Sequence, residues 1–471
     1  GYKPEKLFHF FEDISAIPRG SANEKAISDY LVAFAEERNL WYHRDALFNV
    51  IIKKPASAGA KEKPAVMLQG HTDMVCEKLA GVAHDFTTDP LDLIIKDGVL
   101  SANGTTLGGD NGAAVACMLA ILDDDTLTHP ALECVFTTQE EIGLNGAEAL
   151  DKSLLSARTM INLDSEDEGI FLTSCAGGAR VNCRFPMKKQ ELTGVRYEVE
   201  VSGLLGGHSG GEIHKERGNS NCILGRLLWK LSEKMPVGLV SADGGQTKAV
   251  VVVEEKDAES LEQQVAALAA ELGDELATKD PDVKVTAKKL TDTAETITCA
   301  APEDTKRVAA FLQATPNGVQ AMSADMPGLV QTSLNLGILK ADAEVLRAEY
   351  SVRSSVESEK DNLIAKLSAL VELTGGDYVV TGDYPGWKYR VHSPLREKMV
   401  KLYAEMYGIE PKVEAIHAGL ECGLLGSKIT DLDCVSMGPD MKDIHTTEET
   451  LSISSTKRVW EYLVRVLETK D

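Results

Sequence analysis

Apolar residues near the start of the chain recur at helical spacing (Leu7, Phe8, Phe11, Ile14), and Pro18-Arg19-Gly20 interrupts the pattern. This predicts an amphipathic helix followed by a break. Ser21 and Glu24 stand three residues apart before the next apolar run, so a second helix opening on a capping box is expected there. The rhythm then changes. Short, nearly continuous apolar runs at Asn49–Lys53, Ala65–Gln69, Leu132–Thr138 and Thr159–Leu163 predict buried strands. An apolar helix is expected from about Ala113 to Asp123, after the glycine-rich passage Gly104–Gly112. Strands alternating with helices predict an α/β domain whose mostly parallel or mixed sheet carries helices on both faces.

From about Lys188 the texture shifts to alternating strands, at Arg196–Val201, Ala249–Val253, Val283–Ala287 and Leu346–Val352. Helices at Asn219–Lys234, Glu259–Ala277, Glu303–Leu312 and Lys360–Leu373 are interleaved with them. This reads as an α+β insertion ending near Tyr384-Pro385-Gly386-Trp387. The first pattern then resumes with helix Pro394–Tyr407, a loop at Gly419–Gly426, strand Cys434–Met437 and a closing helix from Ser455. The expected organisation is one discontinuous domain of residues 1–187 and 388–471, with residues 188–387 inserted into it.

At 471 residues the chain is long for a single core, which agrees with two domains. No apolar run approaches the roughly 18–20 residues needed to span a bilayer. From Gly1 through Glu24 no basic segment precedes an apolar stretch, so no secretory signal is expected. The chain opens on Gly1 rather than Met, which reads as a trimmed or added terminus. Nine cysteines, never spaced Cys-x-x-Cys, suit reduced thiols in a cytoplasmic protein. A net charge of −24 with no Lys/Arg cluster argues against nucleic-acid or anionic-membrane partners.

Against that background one set of residues stands out: His71-Thr72-Asp73, Asp110, Glu140-Glu141, Asp164 and, far downstream, His445. Several of them fall at the ends of the predicted strands, where functional residues of such sheets gather. Imidazoles and carboxylates without thiolates are donors for zinc, manganese or cobalt. The carboxylates are too many for one tetrahedral ion, and enough for two ions sharing a bridge with one carboxylate left as a base. Each residue also has an ordinary explanation. His71-Thr72-Asp73 can be a hydrogen-bonded turn, Asp110 a helix cap, Glu140-Glu141 a solvated loop, Asp164 part of the acidic turn through Glu168, and His445 a surface residue before a helix. It is their joint occurrence at strand ends that favours a metal site.

This order of motifs, with Gly108-Gly109-Asp110-Asn111 and a C-terminal histidine, resembles the M20 dinuclear metallopeptidases. It is most similar to their cytosolic branch that cleaves Xaa-His and other dipeptides. Longer passages carry that similarity: Cys175–Gly178, Gly206–His214, Ala314–Val319 and Ile416–Leu424. The resemblance implies a dinuclear zinc-exopeptidase type catalytic domain with an inserted lid, and two divalent ions, Zn²⁺ before Mn²⁺ or Co²⁺. It implies His71 and Asp164 on one ion, Glu141 and His445 on the other, and Asp110 as the bridge. Glu140 would be the general base and Asp73 the residue that orients His71. A non-proline cis peptide is implied at Asp110-Asn111. His208 would be the lid histidine that stabilises the oxyanion, with Asn335, Arg353, His417 and Gly419 as substrate contacts. The implied partner is a dipeptide substrate, with a homodimer as one way to supply His208. An N-acyl amino acid deacylase on the same metal core, and a catalytically silent metal- or peptide-binding protein, are the competing expectations.

Overall fold

The structure is a computed structural model and describes residues 4–469; Gly1 lies outside that range. The described residues divide into two compact units. The first comprises residues 4–175, 387–415 and 420–469, and the second Ala176–Gly386 with Ile416–Gly419. Strand Gly177–Pro186, which precedes the textural change at Lys188, pairs with Val345–Ser354 and Asp377–Tyr384 of the second unit. The insertion thus begins one strand earlier than the sequence pattern suggests, because no polar linker marks the crossing.

The first unit is built on an eight-stranded mixed sheet. Its centre is parallel: Leu132–Thr137, Val66–His71, Thr159–Asn162 and Asp433–Ser436 lie side by side in that order. Antiparallel strands extend it on both sides, Val50–Lys54 and Trp41–Arg44 on one and Ile170–Cys175 on the other. The central strands are buried along almost their whole length. Continuous burial is what a sheet covered on both faces imposes, and it explains why these strands read as apolar runs rather than alternations. Helices Glu5–Ser15, Gly109–Asp123, Pro394–Tyr407 and Ile453–Glu468 complete one continuous core with those strands. Leu7, Phe8, Phe11 and Ile14 all enter it, as their spacing predicts.

A second, four-stranded sheet was not legible in the sequence, since its strands are only two to four residues long. It runs Met441–Lys442, Thr450–Ser452, Val99–Ala102, Leu93–Lys96. Leu451 pairs with Leu100 and Met441 with Leu451. The pairing sets the 443–449 loop beside the glycine-rich passage that follows Ala102.

The second unit contains a ten-stranded sheet whose named pairings are all antiparallel. Its strands alternate buried with exposed, as in Val345–Ser354, because only one face is packed. Helices Ser220–Lys234, Ala258–Glu275, Pro302–Ala314 and Glu357–Leu373 supply the apolar residues that cover that face.

The closing helix docks through Val459, Tyr462, Leu463 and Val466, and the Tyr462 hydroxyl donates to the Met399 carbonyl at 2.6 Å. Leu463 is fully buried, so Leu463→Ala is expected to destabilise the protein by about 2–5 kcal/mol. Urea unfolding measures this; a loss below about 1 kcal/mol would show that the helix is not part of the core.

Candidate metal centre

The three parallel strands that end nearest the site are in register: Val66 lies opposite both Leu132 and Thr159. Their carboxyl ends are therefore level. His71 is the last residue of its strand, Asp164 follows Asn162 by two residues, and Glu140 follows Thr137 by three. Gln139, with φ of 51° in the left-handed region, turns the chain so that the backbone N–H groups of Glu140 and Glu141 both point back to Asp73. They donate to its Oδ1 and Oδ2 at 3.1 and 3.2 Å.

Asp110 arrives from another direction. It sits at the start of helix Gly109–Asp123, where Asp110 and Asn111 leave helical geometry, and the Asp110-Asn111 peptide is cis, as the family resemblance implies. Asn111 locks this turn onto the sheet. Its Oδ1 accepts from the His71 N–H at 3.0 Å and its Nδ2 donates to the Leu163 carbonyl at 2.8 Å. The approach is so close that a Cβ on Gly70 would lie 2.6 Å from Asn111 Oδ1. His445 is brought in by the small sheet and has φ of 65°, a left-handed conformation that is uncommon outside glycine and concentrates at functional sites.

These placements converge. Asp110 Oδ1 lies 3.0 Å from His71 Nε2, while its Oδ2 lies 2.9 Å from His445 Nε2. One carboxylate thus presents a different oxygen to each imidazole. Asp164 Oδ1 is 3.4 Å and Glu140 Oε2 3.7 Å from His71 Nε2. Glu141 Oε1 is 2.8 Å from His445 Nε2. On its other side the His71 ring meets Asp73, Nδ1 lying 3.0 Å from the backbone carbonyl and 3.2 Å from Oδ1. Those contacts hold a proton on Nδ1 and turn Nε2 into the cluster.

The electrostatics describe a cluster short of positive charge. Burial pushes Asp164 up to about 8, with Asp110 and Glu421 adding to the rise. Burial likewise raises Glu140 well above the ordinary glutamate range, helped by Asp164, Glu421 and Glu141. Burial opposes charge on His71, yet Asp164 and Glu140 drive its imidazole well above its usual value. His445, hydrogen-bonded to Asp110 and Glu141, rises to about 10. For Asp110, burial is overcome by the two imidazoles, which hold the carboxyl far below its ordinary range. Protonated imidazoles would offset part of the carboxylates' charge. The donor set fits two divalent ions: His71, Asp110 and Asp164 form one compact group and Asp110, Glu141 and His445 another, sharing Asp110. His71, Glu140 and Glu141 form a third overlapping group.

Several side chains that hold this cluster were not singled out in the sequence. Ser21 and Glu24 do not form a capping box: the helix begins at Lys25 without a side-chain cap. The Ser21 hydroxyl instead donates to Asp73 Oδ2 at 2.6 Å, and Glu24 accepts from the Gln139 N–H at 2.8 Å. Tertiary partners win both side chains from the helix end. Arg19, read only as part of a break, is 2% exposed and donates to the carbonyls of Thr72 and Gly108. It also explains Gly112, where a Cβ would meet its guanidinium at 2.7 Å. Glu421 is fully buried and accepts from Gln69. Glu449 accepts three backbone N–H groups from the glycine-rich passage.

The other residues singled out in the sequence lie in the second unit. His208, Asn335, Asn219, Asn317 and Arg217 line a cavity of about 630 Å³. His208 Nδ1 accepts from the N–H groups of Gly210 and Gly211 at 3.1 and 2.9 Å, which leaves its proton on Nε2. Asn335 Oδ1 accepts from Asn219. His417 bonds Ser333 through Nε2 at 2.7 Å, and burial together with Arg353 lowers it to about 4. Gly210 is packed so tightly that a Cβ would fall 2.6 Å from the His417 carbonyl and 3.1 Å from the Arg353 guanidinium. Gly419 packs against the Tyr384 ring instead.

Comparison with known proteins gives a consistent picture. Residues 67–469 match the profile of peptidase family M20/M25/M40. The chain is 33% identical over 474 aligned residues, covering 98% of it and 97% of the relative, to the cytosol non-specific dipeptidase of Escherichia coli K12. The crystal structure of aminoacylhistidine dipeptidase from Vibrio alginolyticus superposes with a TM-score of 0.92 at 34% identity, over 99% of this chain and 97% of that one. Aminopeptidase PepT from Bacillus cereus, at 16% identity over 99% and 98% of the two chains, shares the fold with a TM-score of 0.63.

A pH dependence follows for protein kept in chelator. Asp164 and His445 both have folded pKa values raised above their ordinary 3.8 and 6.5, to about 8 and about 10. Stability contributed by such groups is complete below the unfolded value and is lost as pH rises through the folded one. The melting temperature of chelated protein is therefore expected to fall as pH rises from about 6.5 toward about 10, and divalent metal should abolish the fall. A melting temperature that rose over that interval in chelator would contradict this account of the cluster.

Proposed function

The chain belongs to peptidase family M20/M25/M40, and from that membership we propose that it is a dinuclear metal-dependent dipeptidase. The observation that carries the proposal is the split engagement of Asp110, one oxygen toward His71 and the other toward His445. His71 and Asp164 would hold one ion, Glu141 and His445 the other, with Asp110 between them. Zn²⁺ is the proposed occupant, and Mn²⁺ or Co²⁺ also accept imidazole and carboxylate donors. The Escherichia coli relative is a cytosol non-specific dipeptidase, and we place this protein in the cytoplasm as well. Among the described residues no helix is long and apolar enough to cross a membrane.

Bound there, two divalent ions supply Lewis-acid polarisation of the scissile carbonyl and a water of lowered pKa. The rest falls to the chain. Asp73 accepts from Ser21 and from the N–H groups of Glu140 and Glu141 while it fixes the His71 ring. Ligand and base are thereby set by one carboxylate. Glu140 stands 3.7 Å from His71 Nε2, beyond hydrogen-bond distance, and burial raises its carboxyl well above the ordinary glutamate range. That suits a group that takes a proton from the attacking water and passes it to the leaving amine. His208, with its proton on Nε2, would donate to the oxyanion, either in its own chain or from a second copy in a homodimer. Asn335, Arg353, His417 and Gly419 would contact the dipeptide.

A panel of dipeptides and N-acyl amino acids, assayed with added Zn²⁺, Mn²⁺ or Co²⁺, tests this reading. Dipeptides, Xaa-His among them, are expected to be cleaved. Glu140→Gln should lower kcat by about 10²–10⁴-fold with metal content unchanged. Turnover of N-acyl amino acids alone would make the protein a deacylase, and no turnover of either class would leave a binding protein. Activity that survived loss of Glu140 would remove it from the mechanism.

A further inference from the structure

Glu449 lies four residues beyond His445 in the loop between strands Met441–Lys442 and Thr450–Ser452, and it is 2% exposed. Its Oε1 accepts the N–H groups of Leu107 and Gly108 at 2.9 and 3.0 Å, and its Oε2 accepts that of Asp110 at 3.2 Å. The 445–449 segment thus grips the Asp110 passage twice. His445 meets the Asp110 side chain, and Glu449 holds the backbone that carries it. From the opposite side Arg19 donates to the Gly108 carbonyl and to the Thr72 carbonyl, tying the same passage to the strand end that bears His71.

We propose that Glu449 is a positioning residue that sets the distance between Asp110 and His445, and so controls the affinity of the ion on the His445 side. The proposal rests on the dinuclear reading above. The argument is one of geometry. Leu107, Gly108 and Asp110 belong to a passage of irregular backbone in which Gly108 has φ of 71°, so helix or sheet bonding does not satisfy these N–H groups. A buried N–H without a partner is unfavourable, and Glu449 meets three of them with one side chain. Without it the passage has no reason to keep the turn that presents Asp110 Oδ2 to His445. The His71 side keeps its own anchors, since Asn111 bonds the His71 N–H and the Leu163 carbonyl. The effect should therefore be unequal between the two ions.

The conservative variant discriminates. Glu449→Gln can still accept from Leu107 and Gly108 through its oxygen, while its amide would face the Asp110 N–H. Co²⁺ titration of full-length protein, followed by calorimetry and by visible absorption, is expected to give two binding steps in the unsubstituted protein. In Glu449→Gln one step should weaken by about 10–100-fold and the other stay in place, with a larger loss in Glu449→Ala. Raising Co²⁺ should restore the second absorption band in Glu449→Gln. Glu133 is a buried carboxylate that accepts the Ser156 and Ala157 N–H groups away from the cluster, so Glu133→Gln serves as a control for destabilisation alone and should keep both steps. If Glu449→Ala does not fold, Glu449→Gln carries the test. Two steps of unchanged affinity in Glu449→Gln would overturn the proposal. A single step in the unsubstituted protein would overturn the dinuclear reading itself, and this proposal with it.

Discussion

Buried negative charge is the constraint on which the first unit depends. Asp73, Asp110, Glu140, Glu141, Asp164 and Glu421 surround two imidazoles at the carboxyl ends of a parallel sheet. Carboxylates removed from water and set this close repel one another strongly, and the low local dielectric magnifies the repulsion. A fold can keep such a group only by giving each member rigid partners and by supplying cations. The rigid partners are present: Asp73 receives Ser21 and two backbone N–H groups, Asn111 pins the Asp110 turn, and Arg19 crosses beneath it. Divalent cations held by this cluster would offset that charge and offer a Lewis-acid face to a carbonyl.

Much of this was readable from the chain because the strongest signals are local. A strand buried on both faces announces itself as an apolar run, and a functional side chain at its end is then conspicuous. His71, Glu140, Glu141 and Asp164 were visible for that reason. Supporting residues carry no such mark. Arg19 acts on Thr72 and Gly108, and Glu449 on Leu107 through Asp110, across separations of 53 to 342 residues. Ser21 and Glu24 carried a misleading mark, since a capping pattern describes a preference of the helix end alone, and here tertiary acceptors and donors outcompete it. The start of the insertion was misplaced for a related reason. Gly177–Pro186 alternates buried with exposed but is too close to the preceding strand for a change of texture to register.

The second unit solves a different physical problem, that of holding a histidine loop. Asp280, fully buried, receives the Leu205 N–H at 2.8 Å and the Gly218 N–H at 2.6 Å, so one carboxylate staples both stems of the segment that carries His208. Within the loop two glycine N–H groups choose the tautomer of that histidine. Neither device involves a periodic pattern. A histidine flanked by glycines is informative in sequence only through resemblance to a family.

The order of strands in the first sheet has a consequence for how the molecule comes into being. Asp433–Ser436 occupies the place between Thr159–Asn162 and Ile170–Cys175, although more than two hundred residues separate it from either along the chain. During synthesis the ribosome delivers His71, Asp110 and Asp164 long before that strand, and before His445. The nascent first unit therefore emerges with a gap in its sheet and with four of its five proposed ligands, lacking only His445, while the intervening second unit, whose sheet draws on its own continuous segment, can fold meanwhile. Assembly of the metal centre is thus a late event, tied to the arrival of the last tenth or so of the polypeptide.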